Sequence, residues 1–177
     1  MSKQLIIKEL SERHSSFVNY ILSLSYDEFI FSFQNKWTAG QQMDHIFRAT
    51  SILPLAFKMP KFINALIFGR ANRLPMEYDE LVQKYLSKLE KGAKATTVFI
   101  PGKILYTSRI DLANKLLKKI SGINFAIDKI SEKDLDQFML PHPILGKITY
   151  REMLYFTIYH VNHHYAQTKK SVAEICH

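Results

Sequence analysis

Apolar residues recur at three- and four-residue intervals through almost all of this 177-residue chain, while clean alternation of apolar and polar positions between turn residues is scarce. Such spacing suits helices that each bury one stripe, so the expected fold is all-α. The length fits one domain, and 47% hydrophobic against 23% charged residues is the balance of a packed globular chain. Residues 1–177 are therefore expected to form a single domain.

Local signals place the helices. A first long helix is expected over residues 3–24, with Leu5, Ile6, Leu10, Phe17, Ile21 and Leu24 on one stripe. Ser25 and Glu28 stand in the capping-box relation, as do Thr38 with Gln41 and Thr149 with Glu152. The last pair predicts a helix over residues 150–173. Pro60 and Gly69 bracket a short apolar helix, and residues 70–76 look like a connection. Helical spacing resumes over 78–91 and 108–127. The stretch 92–102 interrupts it and is expected to be a loop or one short strand.

Several function classes are disfavoured. The single cysteine, Cys176, permits no intrachain disulfide, and residues 1–16 offer neither an apolar export stretch nor a small-residue cleavage site. The expected location is the cytoplasm. The most apolar region, 52–68, is broken by Pro54, Lys58, Pro60 and Lys61, short of the roughly 20 apolar residues a membrane span needs. The net charge of +8 is scattered, and its densest groups (Lys84, Lys88, Lys91, Lys94 and Lys115, Lys118, Lys119) fall at helical spacing, so solvated faces are expected rather than nucleic-acid binding. For the apolar run 62–68, edged by Lys58, Lys61, Arg70 and Arg73, membrane contact, a lid and a dimer contact all stay open.

Histidines carry the chemistry. His160 and His164 stand one helical turn apart on one face, with Thr157 a turn before and Gln167 a turn after as pocket residues. His163 is rotated away. Spacing alone does not make such a pair a metal site, because a third ligand must come from elsewhere. His45, on a capped helix with Gln41 four residues before it as a further expected pocket residue, is the leading candidate; three neutral imidazoles from two helices would leave coordination positions open. His14 and His142 are alternatives, but His14 is expected to be an exposed helix residue and His142, between two prolines, to fix the turn before the last helix. Asp44 points away from His45 and is expected in a salt link or in a contact behind the ligands. Val161 follows His160 where a zincin-type protease would carry Glu, so protease chemistry is not expected. Trp37 is expected to pack as a staple before its helix, and the aromatic residues of the last helix to form core or a dimer face.

Two segments, KWTAGQQMDHI (residues 36–46) and HPILGKITYREMLYFTIYHVNHHYAQ (residues 142–167), resemble the DinB/YfiT-like superfamily of metal-dependent enzymes. There, a Trp-Ser/Thr start leads into a helix with one histidine ligand, and the last helix carries a pair four apart. The resemblance assigns the ligands to His45, His160 and His164. It also implies a DinB-like bundle of four long helices with short additional helices, commonly a homodimer, and one divalent metal ion such as nickel or zinc. Activities in the family include thiol S-transferases that use a low-molecular-weight thiol, maleylpyruvate isomerase-like enzymes and a hydrolase, all with small-molecule substrates. The alternative is a non-catalytic metal- or small-ligand-binding interaction module. The likeness is thin over residues 57–133.

Overall fold

The computed structural model describes residues 1–94 and 96–176, and its helices start where the capping signals put them. The elements run α1 (Lys3–Ser23), α2 (Tyr26–Ile30), α3 (Ala39–Ser51), α4 (Leu53–Ala56), α5 (Lys61–Phe68), α6 (Tyr78–Glu90), α7 (Arg109–Asp128), α8 (Glu132–Gln137), β1 (Met139–His142), β2 (Gly146–Thr149) and α9 (Tyr150–Ala173). Three capping boxes, at Ser25–Glu28, Thr38–Gln41 and Thr149–Glu152, have both reciprocal hydrogen bonds. Each box satisfies amides that the first turn of its helix leaves without partners.

α1, α3, α7 and α9 form the bundle: α1 and α3 each pack against both α7 and α9, and α6 lies along α9. The buried stripe of α1 is Ile6, Leu10, His14, Phe17, Val18 and Ile21. His14 thus lies in the core, not on the surface as its residue type suggested. Its spacing from Leu10 and Phe17 puts it on the inward face, and its Nδ1 donates to the Leu10 carbonyl at 2.8 Å. The N-terminal half of α9 is buried on every side from Tyr150 to Ile158, so it forms the bundle's central rod.

The described residues of 92–102 form a loop with a 3-10 turn at Thr97–Phe99, the first of the two expected alternatives. The strands lie elsewhere: β1 and β2 pair antiparallel from Met139↔Thr149 to His142↔Gly146. Three residues join them, and Gly146 has φ +79°, the left-handed conformation that closes such three-residue hairpins. This hairpin leads straight into the Thr149 cap and fixes where α9 begins. No single helix among the described residues is long and apolar enough to cross a membrane.

Candidate metal site

His45 sits two turns into α3, and His160 and His164 face it from the middle of α9, as the packing of α3 on α9 requires. All three are buried, with exposures of 4%, 6% and 6%. His160 Nε2 lies 3.1 Å from His45 Nε2 and 3.0 Å from His164 Nε2. Three ligand atoms of the type that binds divalent transition metals therefore converge on one point.

The outer nitrogens decide what the inner ones can do. His45 Nδ1 is 2.7 Å from the Phe99 carbonyl, which only accepts, so that nitrogen carries the proton and Nε2 is left with a bare lone pair. His164 Nδ1 likewise meets Gln42 Oε1. Two bare nitrogens then face His160, whose ring has at most one proton to offer them when neutral. Burial, the largest cause, lowers the pKa of all three; repulsion from neighbouring imidazoles adds to it at His160 and His164, which end well below the ordinary value, while the Phe99 carbonyl and Asp44 act against it at His45. Neutral rings with inward lone pairs and outer N–H groups held by oxygen are the arrangement of histidines around a metal, so the residues present fit a divalent ion.

Beside the histidines opens a cleft of about 330 Å³, walled by apolar side chains including Leu53, Tyr85, Leu89, Met153 and Phe156. None of the described residues lining it is Asp, Glu, Lys or Arg. Of the polar residues expected here, Thr157 and Gln167 line the cleft. The Thr157 hydroxyl donates to the Met153 carbonyl at 2.8 Å, and Gln167 Nε2 lies 2.7 Å from His163 Nε2. Gln41 does not reach the cleft; its Oε1 accepts from the Thr38 amide as part of the cap. Gln42, one residue on, holds His164 instead. The signal was present: a capping box uses the Gln41 side chain, which leaves Gln42 as the free amide near His45. The Phe99 carbonyl, from the loop, carries no sequence signal at all.

Trp37 is not a staple. The position such a staple would pair with is the polar Gln42, and the indole instead lies 4.8 Å from the His45 ring and 6.2 Å from that of His164, between ring centres. It packs against the histidine cluster and lines the same cleft. Asp44 pairs with Arg48 at 2.6 Å and His142 holds its turn, both as expected.

The fold and the site together define a class: a helical bundle whose buried trio of imidazoles could hold a metal beside an apolar cleft. The chain belongs to the DinB superfamily, whose family model matches residues 9–168. No curated protein and no solved structure matches it.

Proposed function

We propose that this protein is a metal-dependent enzyme in which His45, His160 and His164 hold one divalent ion, nickel or zinc, and which transfers a low-molecular-weight thiol to a small apolar acceptor. The observation that carries this reading is the cleft: it is open beside the histidines and lined with no carboxylate or amine among the described residues. Hydrolysis by activated water works best with a general base nearby, and the described lining offers no carboxylate for it, only imidazoles outside the trio, of which His163 is made a weaker base by burial and His142 is engaged in its turn. A divalent ion would supply Lewis acidity to bound water and thiol alike, but a thiol starts from a pKa of about 8.5 against about 15.7 for water, so its nucleophilic form is the easier one to reach without a base. Thiol transfer is therefore preferred to hydrolysis, and an accessible cleft argues against a non-catalytic binding module.

The chain's own residues have separable tasks. Phe99 and Gln42 aim two of the rings, Trp37 packs against them, and Leu53, Met153 and Phe156 select an apolar substrate. The family resemblance adds a homodimer, for which sedimentation over a range of concentrations is the test.

Purified protein is expected to carry one divalent ion per chain by elemental analysis, and replacing His160 and His164 together by Ala should remove it. Unchanged metal content in that variant refutes the ligand assignment. Turnover is then screened with thiols plus apolar electrophiles against simple esters and amides; activity on esters or amides without thiol would favour the hydrolase.

A further inference from the structure

We infer that His142 is a fixed hydrogen-bond donor of this cleft and that the ligand it receives is a small apolar compound bearing a carbonyl oxygen. The inference builds on the proposed function by naming the substrate class of the same cleft.

β1 ends at His142, and the chain turns through Pro143, Ile144 and Leu145 before Gly146. The amides of Ile144 and Leu145 both donate to His142 Nδ1, at 3.2 and 3.0 Å. A ring nitrogen that accepts two N–H groups cannot carry a proton, so the neutral imidazole must be protonated at Nε2. The tautomer is thus set by the backbone of a tight turn, not by anything the side chain is free to choose.

Burial lowers the pKa of this ring to about 4, so it is neutral at pH 7. Its orientation is held by Phe156, with ring centres 4.2 Å apart and planes at 71°, and by the edge of Tyr85 at 6.4 Å. Nε2 makes no hydrogen bond among the described residues, yet it is not among their sealed, unpartnered polar atoms, and His142 lines the cleft with His160. An oriented N–H with no partner therefore opens onto the space beside the three histidines.

The chemistry of that donor limits its ligand. A neutral imidazole offers one hydrogen bond and no charge, and the cleft walls supply no ammonium or guanidinium among the described residues. Any counter-charge would have to come from the ion proposed at the trio, and His142 itself offers a phosphate ester or other dianion one neutral hydrogen bond, too little to replace the water its several charged oxygens would lose. A ketone, ester or amide oxygen on an apolar body matches both the walls and the donor. In triosephosphate isomerase, an unrelated fold, a neutral imidazole polarises a carbonyl by the same physics.

Substitutions can separate the two nitrogens. In His142→Asn the side-chain oxygen can still accept from the two amides, but nothing reaches to the Nε2 position. His142→Gln places an amide N–H near that position and gives up the acceptor of the turn. The test is nitrogen-15 NMR of the histidine rings in the full chain, as purified and again after dialysis against EDTA, with acetophenone and ethylbenzene as probes of like shape with and without the oxygen.

At pH 7 His142 should show Nδ1 bare and Nε2 protonated in both preparations, and acetophenone should shift Nε2. His142→Asn should weaken acetophenone about three- to tenfold, the worth of one neutral hydrogen bond, leaving ethylbenzene and the thermal midpoint unchanged. His142→Gln should keep the preference for acetophenone and unfold at a lower temperature. A proton found on Nδ1, an Nε2 signal indifferent to acetophenone, or equal weakening of both probes in His142→Asn would each overturn the inference. Failure of the metal reading shows separately as absent metal, because the EDTA-treated protein reports on His142 regardless.

Discussion

Gln42 meets His164 Nδ1 with a neutral amide oxygen, and the consequence is measurable without knowing the substrate. Removing that acceptor frees the ring to rotate or change tautomer, and loss of such a partner typically costs ten- to a hundredfold in metal affinity. Gln42→Leu, close in size, is therefore expected to bind zinc roughly 10–100 times more weakly in competition with a chelator, whereas Gln42→Glu, which keeps an acceptor, should not weaken it. Equal affinity in all three proteins would show that the contact does not orient the ligand. Glu152 presents a different balance at the foot of the same helix. Its carboxylate is 0% exposed; burial acts to raise its pKa, but Arg73 and the amides of Met76 and Thr149 outweigh it, and the pKa ends lowered. A lowered folded-state pKa means stability that is present above the unfolded carboxyl value, roughly 4.3, and is lost as pH falls through the folded one. Glu152→Gln should cost roughly 2 kcal/mol at pH 7, and the gap to the parent should close as thermal unfolding is repeated toward pH 3. A gap that persists at low pH would assign the loss to packing instead of charge.

Elements whose limits are written locally were legible, and those that depend on distant partners were not. Three capping boxes marked α2, α3 and α9 because the residues that satisfy the first-turn amides stand three apart in the chain. The β1–β2 hairpin escaped because each strand has only four residues and one of them is Pro141, too little for an alternating pattern to show. α5 inverts the usual pattern: its one buried residue is Asn64, whose amide reaches the Met139 carbonyl, while Phe62 and Leu66 are 73% and 85% exposed. Pro60 and Gly69 marked that helix but not which face turns inward. Close packing of α2 on α3 is equally silent in sequence and gives a prediction. A Cβ on Gly40 would lie 2.5 Å from the ring of Phe29, which is fully buried. Replacing helical glycine by alanine ordinarily gains up to about 1 kcal/mol, whereas overpacking a core costs about 1–3. The clash should win, so Gly40→Ala is expected to lower the thermal midpoint, and a raised midpoint would mean that the Phe29 ring yields freely.

At the scale of the whole molecule, the site was legible only through resemblance. Spacing paired His160 with His164, but nothing local says that a residue 115 positions away completes the trio. That convergence is a property of how α3 packs on α9, and only the family likeness carries it at the level of sequence. The architecture also separates the site from the clasp that closes the other part of α9. Arg151, 8% exposed, bonds Glu132 of α8 at 2.6 Å, Asp136 of the same helix, and the Met1 carbonyl ahead of α1 at 2.8 Å. One guanidinium thus ties three segments that are far apart in the chain. Replacing it by Met removes the tie, but Glu132 and Asp136 are partly exposed and can take water in its place, so the cost falls below that of orphaning a fully buried charge. Roughly 1–3 kcal/mol is expected, equivalent to a fall of about 2–12 °C in the thermal midpoint for a chain of this size. Arg151 and His160 are nine residues apart, about 13 Å along a helix at 1.5 Å per residue, and the intervening turns are packed on every side. Metal affinity at 25 °C should consequently stay within about twofold of the parent, as expected for distant sites without shared partners. Affinity that fell in step with stability would mean that α9 shifts as one rigid body when the clasp opens, and that the histidine trio depends on the whole bundle rather than on its own neighbours.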